Sequence, residues 1–545
     1  MPVKRSLIRD EQIAALAKQT FDVAVIGGGI NGAAVARDAA MRGLRVALFD
    51  KGDFAGATSS RSSKLIHGGF RYLAQGRLGL VYEALHERER LRLVTAPHLV
   101  RKTRFLIPAY AGGGLGRIAL GAGLLLYDLL ARLPRAECHR NLSAAEVSGI
   151  EPALRRDRLR GGALYYDAST DDARLTWENA LDAFEHGAVI ANYVALEAFA
   201  TERGRLAAAA VRDVLTGRAI ELRARMFVNA AGPWTDDIRR IDDPGASASV
   251  RLTKGCHLLI ARSRIPVREA LALSTGGGRI FFVMPRDGYV LVGTTDTDFD
   301  GDPERVMADA ADVEYLLGIL NGFLPEFRLS QRDVESSFAG LRALVMSGSG
   351  AAPSSISREE MIHESGSGLL TIAGGKLTTH RAIAQRVVDR IMRNLELPKG
   401  RGPTLDAPLP GARPLDQGRA SAQPAMSEHL ECLAPATRER LISRYGTRAA
   451  MIAELVHRDA ELAQPLAADS PVIGAEVIFA TRSEMAVTLR DCLLRRIGLS
   501  CSPREARAAA PSAARLMARE LGWSADHERA EQADLAAGLG RYSPS

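Results

Sequence analysis

The sequence predicts an α/β protein of two or three domains, because its 545 residues are too many for a single hydrophobic core. Three observations indicate this fold class. Residues 21–54 combine two short apolar strands, a glycine-rich turn and an alanine-rich helix. Residues 279–295 contain alternating apolar runs, as in a β-hairpin. Beyond a Pro- and Gly-rich stretch at 400–424, long segments of Ala, Leu, Arg and Glu indicate helices.

The first unit carries glycines at three fixed positions between strand and helix. Gly27, Gly29 and Gly32 have G-x-G-x-x-G spacing, which is typical of a Rossmann-like dinucleotide site. The first permits the turn, the second lets a pyrophosphate approach the backbone, and the third packs the helix against the strand. Asp50 ends the second strand, where a ribose hydroxyl would be held. An acid there disfavours NADP, but the motif alone does not separate NAD from FAD.

The stretch from Ala57 to Leu73, ATSSRSSKLIHGGFRYL, suits a chain that passes along the pyrophosphate of an extended FAD. With GGGINGAAVARDAAMRGLRV before it, this stretch closely resembles the FAD-dependent glycerol-3-phosphate dehydrogenases, the respiratory, quinone-linked flavoenzymes. Further stretches match that family in the same order: YYDASTDDARLTWENA, FVNAAGPWTDDI, LTKGCHLLIA, VMPRDGYVLVGTTDTDFDGDP, LLTIAGGKLTTHRAIAQ and EMAVTLRDCLLRRIGL.

The resemblance implies a Rossmann-like FAD-binding domain, an antiparallel-sheet substrate domain and a C-terminal helical domain. We expect an N-terminal extension at 1–20, an oxidoreductase region at 21–399, a linker at 400–424 and the helical domain at 425–545. Within the oxidoreductase region, the FAD-binding domain is expected from discontinuous pieces, roughly 21–75, 160–240 and 345–399.

The activity implied is oxidation of sn-glycerol 3-phosphate to dihydroxyacetone phosphate, with hydride transfer from C2 to FAD and electrons passed to a membrane quinone. The fingerprint and the resemblance together give these cofactor-binding residues: Gly27, Gly29, Gly32, Asp50, Thr58, Ser59, Ser63, Lys64, Leu65, His67, Gly232, Gly375, Lys376 and Leu377. No metal site is expected.

A small dianionic substrate needs several cations, which forked guanidinium groups supply best. The family's substrate-binding positions map onto Arg71, Tyr72, Arg342, Arg358 and Lys376. The chain lacks the proline that usually follows the arginine at Arg342, and the residues after Arg358 depart from the family's R-D-Y. In a chain with 63 arginines, any single one is more often a surface residue.

The catalytic set implied is His257, Arg342 and Arg71. His257 is the first candidate for the base that takes the C2 hydroxyl proton, since an imidazole titrates in the useful range. His67 is the second, although a hydrogen bond near the flavin explains it equally simply. Alternatively, an arginine of this set stabilises the developing alkoxide and water takes the proton.

Two other functions stay open. One is an oxidase of the same fold that hands electrons to oxygen, or acts on an amino acid or hydroxy acid. The other is a flavin-binding regulator without catalysis. The expected cations disfavour an amino-acid substrate, and the presence of Arg71, Lys376 and His257 disfavours a dead enzyme.

The composition of the chain indicates which partners and which cellular compartment to expect. The net charge of +7 is mild for this length, no polybasic run is present, and aromatics make up 5%, so nucleic-acid binding is not expected. Five scattered cysteines without paired spacing favour a reducing, cytoplasmic location. The N-terminus lacks the apolar stretch of a signal peptide, and no apolar run is long enough to span a bilayer. A homodimer is a further expectation.

The stretch 114–133 contains ten residues without a charge, from Ile118 to Tyr127. Such a helix is too short to span a bilayer but long enough to lie in its interface. A buried core helix would show the same pattern. The family resemblance favours the membrane, and hence a cytoplasmic protein held peripherally at the inner face of the membrane, where quinone and lipid are its partners.

Overall fold

The computed structural model describes residues 7–73, 75–112, 116–131, 137–275, 279–286, 288–346, 360–398, 400–413 and 428–539, without the side chains of Arg71 and Arg117. Before residue 400 the helices are α1 (Arg9–Lys18), α2 (Ile30–Met41), α3 (Leu78–Arg90), α4 (Arg117–Ala131), α5 (Ala144–Ile150), α6 (Asp172–Glu185), α7 (Thr235–Asp242), α8 (Ala310–Phe323) and α9 (His380–Asn394). Later helices span Pro435–Tyr445, Ala449–Arg458, Gly474–Ser483, Pro503–Leu521 and Ala525–Leu539, with a π-helical segment at Asp491–Arg496.

The strands of the described chain fall into two sheets. In chain order they are β1 (Thr20–Ile26), β2 (Val46–Phe49), β3 (Leu65–Ile66), β4 (Arg101–Tyr110), β5 (Arg140–Leu142), β6 (Leu159–Ser169), β7 (Val189–Ala191), β8 (Val194–Glu202), β9 (Arg205–Asp213), β10 (Ala219–Asn229), β11 (Val250–Ala261), β12 (Ala270–Ser274), β13 (Ile280–Pro285), β14 (Tyr289–Gly293), β15 (Thr297–Asp298), β16 (Val334–Val345), β17 (Glu360–Glu364) and β18 (Leu369–Gly374).

The first sheet has a parallel centre in the order β18–β10–β1–β2–β7, with β17 antiparallel at the β18 edge. Strand β1 is buried from Val23 to Ile26, as expected for a parallel strand covered on both faces. On one face α2, α6 and α9 pack together around Val35, Trp177 and Ile383. On the other, α1 and the antiparallel strands β8 and β9 cover it. This is a Rossmann-like three-layer unit.

The second sheet runs β15–β11–β14–β13–β12–β4–β6–β3, with β16 paired along β11 and β5 along β6. Its pairs are antiparallel except β12 with β4. The longest register joins β11 and β16, from Val250 opposite Val345 to Ile260 opposite Val334. Helix α8 packs on one face of this sheet through Val313 and Leu316. On the opposite face, Leu259, Met284 and Leu291 belong to a cluster that includes α4 and the C-terminal helices.

The C-terminal helices cover α6, which is buried from Asp172 to Phe184. A Rossmann helix normally exposes one polar face, but here that face forms ion pairs with its covering. Arg174 binds Glu484 at 2.7 Å, and Asp171, which caps the helix, binds Arg444 at 2.6 Å. Since buried charges are tolerated only when paired, the ion pairs explain how such a polar helix can be buried.

The described part of the predicted linker, residues 400–413, is packed against the first unit. Thr404 donates a hydrogen bond to Asp38 at 2.7 Å, and the Gly411 amide donates to Glu178 at 3.2 Å. Leu409 is fully buried. The predicted fold class is confirmed: a Rossmann-like domain, an antiparallel sheet and a C-terminal helical domain lie in one chain.

Helix α4 is packed on one side and exposed on the other. Leu120, Leu124 and Tyr127 are buried in the core below the second sheet. On the opposite side Ile118 is 89% exposed and Leu129 67% exposed. Within the described ranges, no helix combines the length and the apolar character needed to cross a bilayer.

Candidate active site

The glycine turn between β1 and α2 has the close contacts that the sequence motif predicts. Gly27 has a φ of +106°, and a Cβ there would lie 2.6 Å from the carbonyl oxygen of Ala230. A Cβ on Gly32 would overlap the carbonyl oxygen of Gly27, so this glycine lets α2 pack against β1. The N-terminus of α2 is thereby placed beside the turn, where it favours an anion.

Asp50 lies at the end of β2 and faces the same turn. Its carboxylate accepts hydrogen bonds from the amides of Gly28 at 2.6 Å and Gly52 at 2.8 Å. Burial raises the pKa of Asp50, and these two hydrogen bonds oppose the rise. Each carboxylate oxygen keeps a second lone pair, so Asp50 can still accept from a ribose hydroxyl.

Two adjoining cavities open from this turn. The fingerprint cavity, of about 630 Å³, is lined by Gly27, Asp50 and Trp234. The inter-sheet cavity, of about 350 Å³, lies between the two sheets and is lined by His257 and Lys376. They share a wall made of Gly29, Thr58, Ser59, Arg61, Ala230, Gly232 and Pro233. An elongated ligand with a central pyrophosphate fits this arrangement, because the shared wall holds the glycine turn.

The serine-rich stretch joins the two sheets across the shared wall. Thr58 donates a hydrogen bond to the carbonyl oxygen of Leu341 in β16 at 2.7 Å. The amide of Ile30, at the start of α2, donates to the Ser59 hydroxyl at 2.9 Å. Ser62 donates to Asp172 of α6 at 2.7 Å. The crowding of small hydroxyl residues therefore has a local cause, since each one binds a different element.

Lys64 ends that stretch with a buried ion pair. Its ammonium binds the Asp172 carboxylate at 2.5 Å and the Ser60 carbonyl at 3.3 Å. Burial lowers the pKa of Lys64, but the surrounding negative groups, Asp172 foremost, together outweigh burial and the net shift is upward. The side chain is not among the described residues that line either cavity. A cofactor contact of Lys64 stays a prediction, and in this geometry it would come from the main chain.

His257 on β11 is buried in the wall of the inter-sheet cavity. Its Nε2 lies 2.8 Å from the Ser63 hydroxyl, and its ring stacks on Phe338 at 4.9 Å between centroids. Burial, reinforced by the charges of Arg342 and Lys64, lowers the pKa of His257 to about 3. The imidazole is therefore neutral at physiological pH. Among the described residues, its Nδ1 has no hydrogen-bond partner.

Arg342 on β16 reaches the same cavity over a glycine. A Cβ on Gly255 would lie 2.6 Å from Nη1 of Arg342, so only glycine leaves this space. The guanidinium binds Asp296 at 3.3 Å and the Thr294 hydroxyl at 3.3 Å. These contacts orient the Arg342 guanidinium, although the chain lacks the proline that usually follows this arginine in the family. Arg279 lies nearby, because it donates to the carbonyl oxygen of Asp296 at 2.9 Å.

The second glycine turn, before α9, brings a lysine to the opposite wall. Gly374 and Gly375 have φ values of +75° and +81°, which place Lys376 at the cavity. The Lys376 ammonium lies 4.0 Å from the centroid of the Tyr72 ring. Thr378 joins this turn to the serine-rich stretch, since its hydroxyl accepts from the His67 amide at 3.0 Å.

Most of the predicted site residues meet at the two cavities. Those lining them are Gly27, Gly29, Asp50, Thr58, Ser59, Ser63, Leu65, His67, Tyr72, Gly232, His257, Arg342, Gly375, Lys376 and Leu377. Gly32 packs helix against strand instead, as described above. The Arg71 side chain and the whole of Arg358 lie outside the described residues.

The sequence did not single out Arg61 and Arg279, which also line the inter-sheet cavity. It equally missed Gly255 and Gly293, beside Arg342 and His257. A Cβ on Gly293 would lie 3.0 Å from Cγ of His257. Gly255 leaves room for Arg342, and Gly293 for His257, only in the folded protein. No local sequence pattern therefore identifies these two glycines.

Comparison with known proteins identifies the family of this chain. Residues 22–381 match the model of the FAD dependent oxidoreductase family, and residues 403–528 match the C-terminal domain of alpha-glycerophosphate oxidase. The chain is 37% identical to the aerobic glycerol-3-phosphate dehydrogenase of Bacillus subtilis (strain 168), over 90% of each chain. It is 36% identical to that of Staphylococcus haemolyticus (strain JCSC1435), over 89% of this chain and 87% of the relative.

A solved structure shows the same architecture over nearly the whole chain. The glycerol-3-phosphate dehydrogenase from Bacillus halodurans, complexed with FAD, superimposes with a TM-score of 0.80 and 31% identity. The match covers 98% of this chain and 97% of that one. With the glycine turn, Asp50 and the two adjoining cavities in place, FAD is the cofactor. The chain belongs to the family of FAD-dependent glycerol-3-phosphate dehydrogenases.

Proposed function

We propose that the protein oxidises sn-glycerol 3-phosphate to dihydroxyacetone phosphate and passes the electrons to a membrane quinone. One observation supports this choice of substrate. Four cationic side chains line the inter-sheet cavity beside the neutral imidazole of His257: Arg61, Arg279, Arg342 and Lys376. A compact dianion gains charge-assisted hydrogen bonds from such a group of donors. A zwitterionic amino acid carries a single carboxylate beside an ammonium group, so it would gain fewer charge-assisted hydrogen bonds from these donors.

The chain's own residues bind and orient the substrate and take one proton. Arg342 and Arg279, which both bind Asp296, hold the phosphate from one side, and Lys376 holds it from the other. FAD, when bound, accepts the hydride that leaves C2. The C2 hydroxyl gives its proton to His257, and the product is the ketone. Two electrons and one proton thus leave with the hydride, and the second proton leaves through the imidazole.

His257 is a weak base before substrate binds, because burial disfavours the imidazolium and the charges of Arg342 and Lys64 add to that effect. A bound phosphate dianion has the opposite effect on the imidazolium, so the pKa of His257 rises when substrate is present. This arrangement makes the base strong only in the loaded site. Ser63, whose hydroxyl contacts Nε2 at 2.8 Å, fixes the ring for that step.

A second candidate acceptor is oxygen. It is favoured by the match of residues 403–528 to a C-terminal domain described from an alpha-glycerophosphate oxidase. The cavity geometry supports either acceptor, since both share the same reductive half-reaction. A flavin-binding regulator without catalysis would not require the cations beside His257.

The test is an anaerobic titration of the purified, FAD-loaded protein with sn-glycerol 3-phosphate. We expect the flavin absorbance to bleach with one equivalent of substrate, and glycerol at the same concentration to leave it unchanged. Reoxidation is then timed with a soluble quinone analogue and, separately, with air-saturated buffer. Faster reoxidation by the quinone supports the proposal, whereas faster reoxidation by oxygen establishes the oxidase. No bleaching at all would support the regulator.

Delivery of electrons to a quinone requires contact with the bilayer, and we place that contact at the exposed face of α4. Ile118, Leu125 and Leu129 are 89%, 55% and 67% exposed, while Leu124 on the other face is fully buried. An apolar face of this kind, on a helix already anchored in the core, can enter the headgroup region. The protein is then cytoplasmic and peripherally bound to the inner face of the membrane.

Flotation with anionic liposomes tests this placement. The parent protein should float with the lipid, and the Leu125→Glu, Leu129→Glu variant should stay in the lower fraction, because burying two carboxylates in lipid is unfavourable. A matched control is Val214→Glu, Leu215→Glu, which changes an exposed apolar pair at another surface, 50% and 48% exposed. If the control loses flotation equally, or if the α4 variant keeps it, the membrane contact lies elsewhere.

A further inference from the structure

The C-terminal helical domain closes the far side of the fingerprint cavity. Four of its residues line that cavity: Thr488, Arg490, Arg495 and Asp534. Gly27 and Asp50 line the same cavity from the first sheet. Since the acid at the end of β2 marks the ribose of the adenosine half, this half of the cofactor lies between the two domains. The flavin half lies in the inter-sheet cavity.

Two arginines of the C-terminal domain bind the loop that follows Asp50. Asp53, three residues after Asp50, binds Nε of Arg495 at 2.6 Å and Nη2 of Arg496 at 2.8 Å. It also accepts from Asn192 at 3.0 Å. Burial alone raises the pKa of Asp53, but the two guanidinium groups outweigh it and hold the pKa at about 2. The carboxylate is therefore charged, buried and bound on several sides.

The two arginines are themselves held in place. Arg496 donates to the carbonyl oxygen of Glu484 at 2.8 Å, and its guanidinium lies 4.2 Å from the centroid of the Trp177 ring in α6. Arg495 also binds Asp491, which accepts from the Tyr193 hydroxyl at 2.6 Å. Because the two arginines make these further contacts, their ion pairs with Asp53 couple the position of the loop after Asp50 to that of the C-terminal domain.

We propose that the contact of Asp53 with Arg495 and Arg496 is the retention latch of the cofactor: it holds the loop 51–57 in the shape that encloses the adenosine diphosphate half of FAD. FAD then leaves only when the C-terminal domain separates from this loop. Arg496 is a positioning residue, because it is not among the described residues lining either cavity and acts through Asp53.

The direct test is the rate of FAD release from the loaded protein after dilution, followed by the fluorescence of the freed FAD. Arg496→Gln should release FAD about ten- to a hundredfold faster than the parent, the effect of removing one charge-assisted buried contact. The control is Arg448→Gln, which breaks another ion pair between the same domains, with Glu185 at 3.2 Å, away from both cavities. It should stay within about twofold of the parent.

Two further variants separate the latch from a general loosening of the domains. If Asp53 and Arg496 act as a unit, the double variant Asp53→Asn, Arg496→Gln should release FAD no faster than the more affected single variant. Equal acceleration by Arg448→Gln and Arg496→Gln overturns the proposal, as does an unchanged release rate in Arg496→Gln. Multiplying effects in the double variant also overturn it.

A measurement on the parent covers the case in which Arg496→Gln does not fold. By linkage, a contact that retains FAD must itself be stabilised when FAD binds. We therefore expect amide hydrogen exchange in 484–497 and in 51–57 to be slower in the FAD-loaded protein than after FAD removal. Exchange in 449–458 should be the same in both. If 484–497 exchanges equally with and without FAD, there is no latch.

Discussion

The protein uses arginine in two different ways, as Arg342 and Arg496 show. Arg342 opens to the inter-sheet cavity with 21% of its side chain exposed, and its bonds to Asp296 and Thr294 are both 3.3 Å long. Arg496 is 1% exposed and binds Asp53 at 2.8 and 2.9 Å. The Arg342 guanidinium, which also contacts the Thr295 carbonyl at 3.4 Å, is partly exposed, whereas the Arg496 guanidinium binds a fully buried carboxylate.

The difference shows which arginines can serve a substrate. Arg342 lines the inter-sheet cavity, where an incoming dianion can reach its guanidinium. If Arg496 turned away, Asp53 would lose one of its two charged partners in a buried site, which is strongly unfavourable. We therefore propose that exposure to the cavity distinguishes a substrate-binding arginine such as Arg342 from a structural one such as Arg496, in a chain where 63 arginines make residue type uninformative.

The largest effect should come from Arg342→Gln. Loss of one charge-assisted contact to the phosphate is expected to cost on the order of 2 to 4 kcal/mol of transition-state binding, or about a hundredfold in kcat/KM. FAD content and the melting temperature should stay near the parent's, since the Arg342 side chain is 21% exposed and opens to the cavity. Steady-state kinetics with sn-glycerol 3-phosphate, beside absorbance and calorimetry, measure all three.

Arg264→Gln is the matched control for Arg342→Gln. Arg264 also belongs to the second-sheet region but is 42% exposed and pairs with Asp333 at the surface. Its loss should leave kcat/KM unchanged. If Arg342→Gln keeps parental kinetics, or unfolds the protein as a buried structural arginine would, the contrast between the two kinds of arginine is wrong.

A tenfold effect is expected from Gly255→Ala, which tests how Arg342 is aimed. The new Cβ would lie 2.6 Å from Nη1 and 2.7 Å from Cζ of Arg342, at the flexible end of that side chain. The guanidinium can move aside, so stability should hardly change while kcat/KM falls roughly tenfold from misplacement. Gly318→Ala in α8, where nothing lies within 4 Å, should leave kinetics intact. Equal kinetics in both variants would mean that the aim of Arg342 is unimportant.

The sequence predicts the fingerprint well because its parts are local. Gly27, Gly32 and Asp50 lie on consecutive elements within 24 residues, and their spacing alone dictates the turn and the acid. His257, Arg342 and Lys376 were identified only through family resemblance. They meet because residues of both sheets line one cavity, and no periodicity within either segment shows that tertiary arrangement.

Two parts of the site could not be predicted for the same reason. Arg279 stands at the start of a strand, and an arginine there has the pattern of an ordinary surface residue. The contact of Asp53 with Arg496 joins residues 443 positions apart. Both depend on tertiary contacts between separate units, which composition and spacing do not encode.

The smallest effect concerns His257 and the pH dependence of the free energy of unfolding. His257 is buried as a neutral side chain, whereas Arg496 is buried as a charged side chain paired with a carboxylate. Its pKa in the folded protein, about 3, lies below the value of an unfolded histidine, about 6.5. As the pH falls below about 6.5, the unfolded chain binds a proton that the folded protein does not, so the free energy of unfolding decreases down to about pH 3. Above about pH 6.5 His257 makes no such contribution.

We expect the free energy of unfolding of His257→Gln to fall by about 1 to 2 kcal/mol less than that of the parent between pH 7 and pH 5, measured by urea unfolding. Other titrating groups cancel in this difference. Equal losses in the two proteins would mean that His257 is protonated in the folded state, and that it is held by pairing, as Arg496 is.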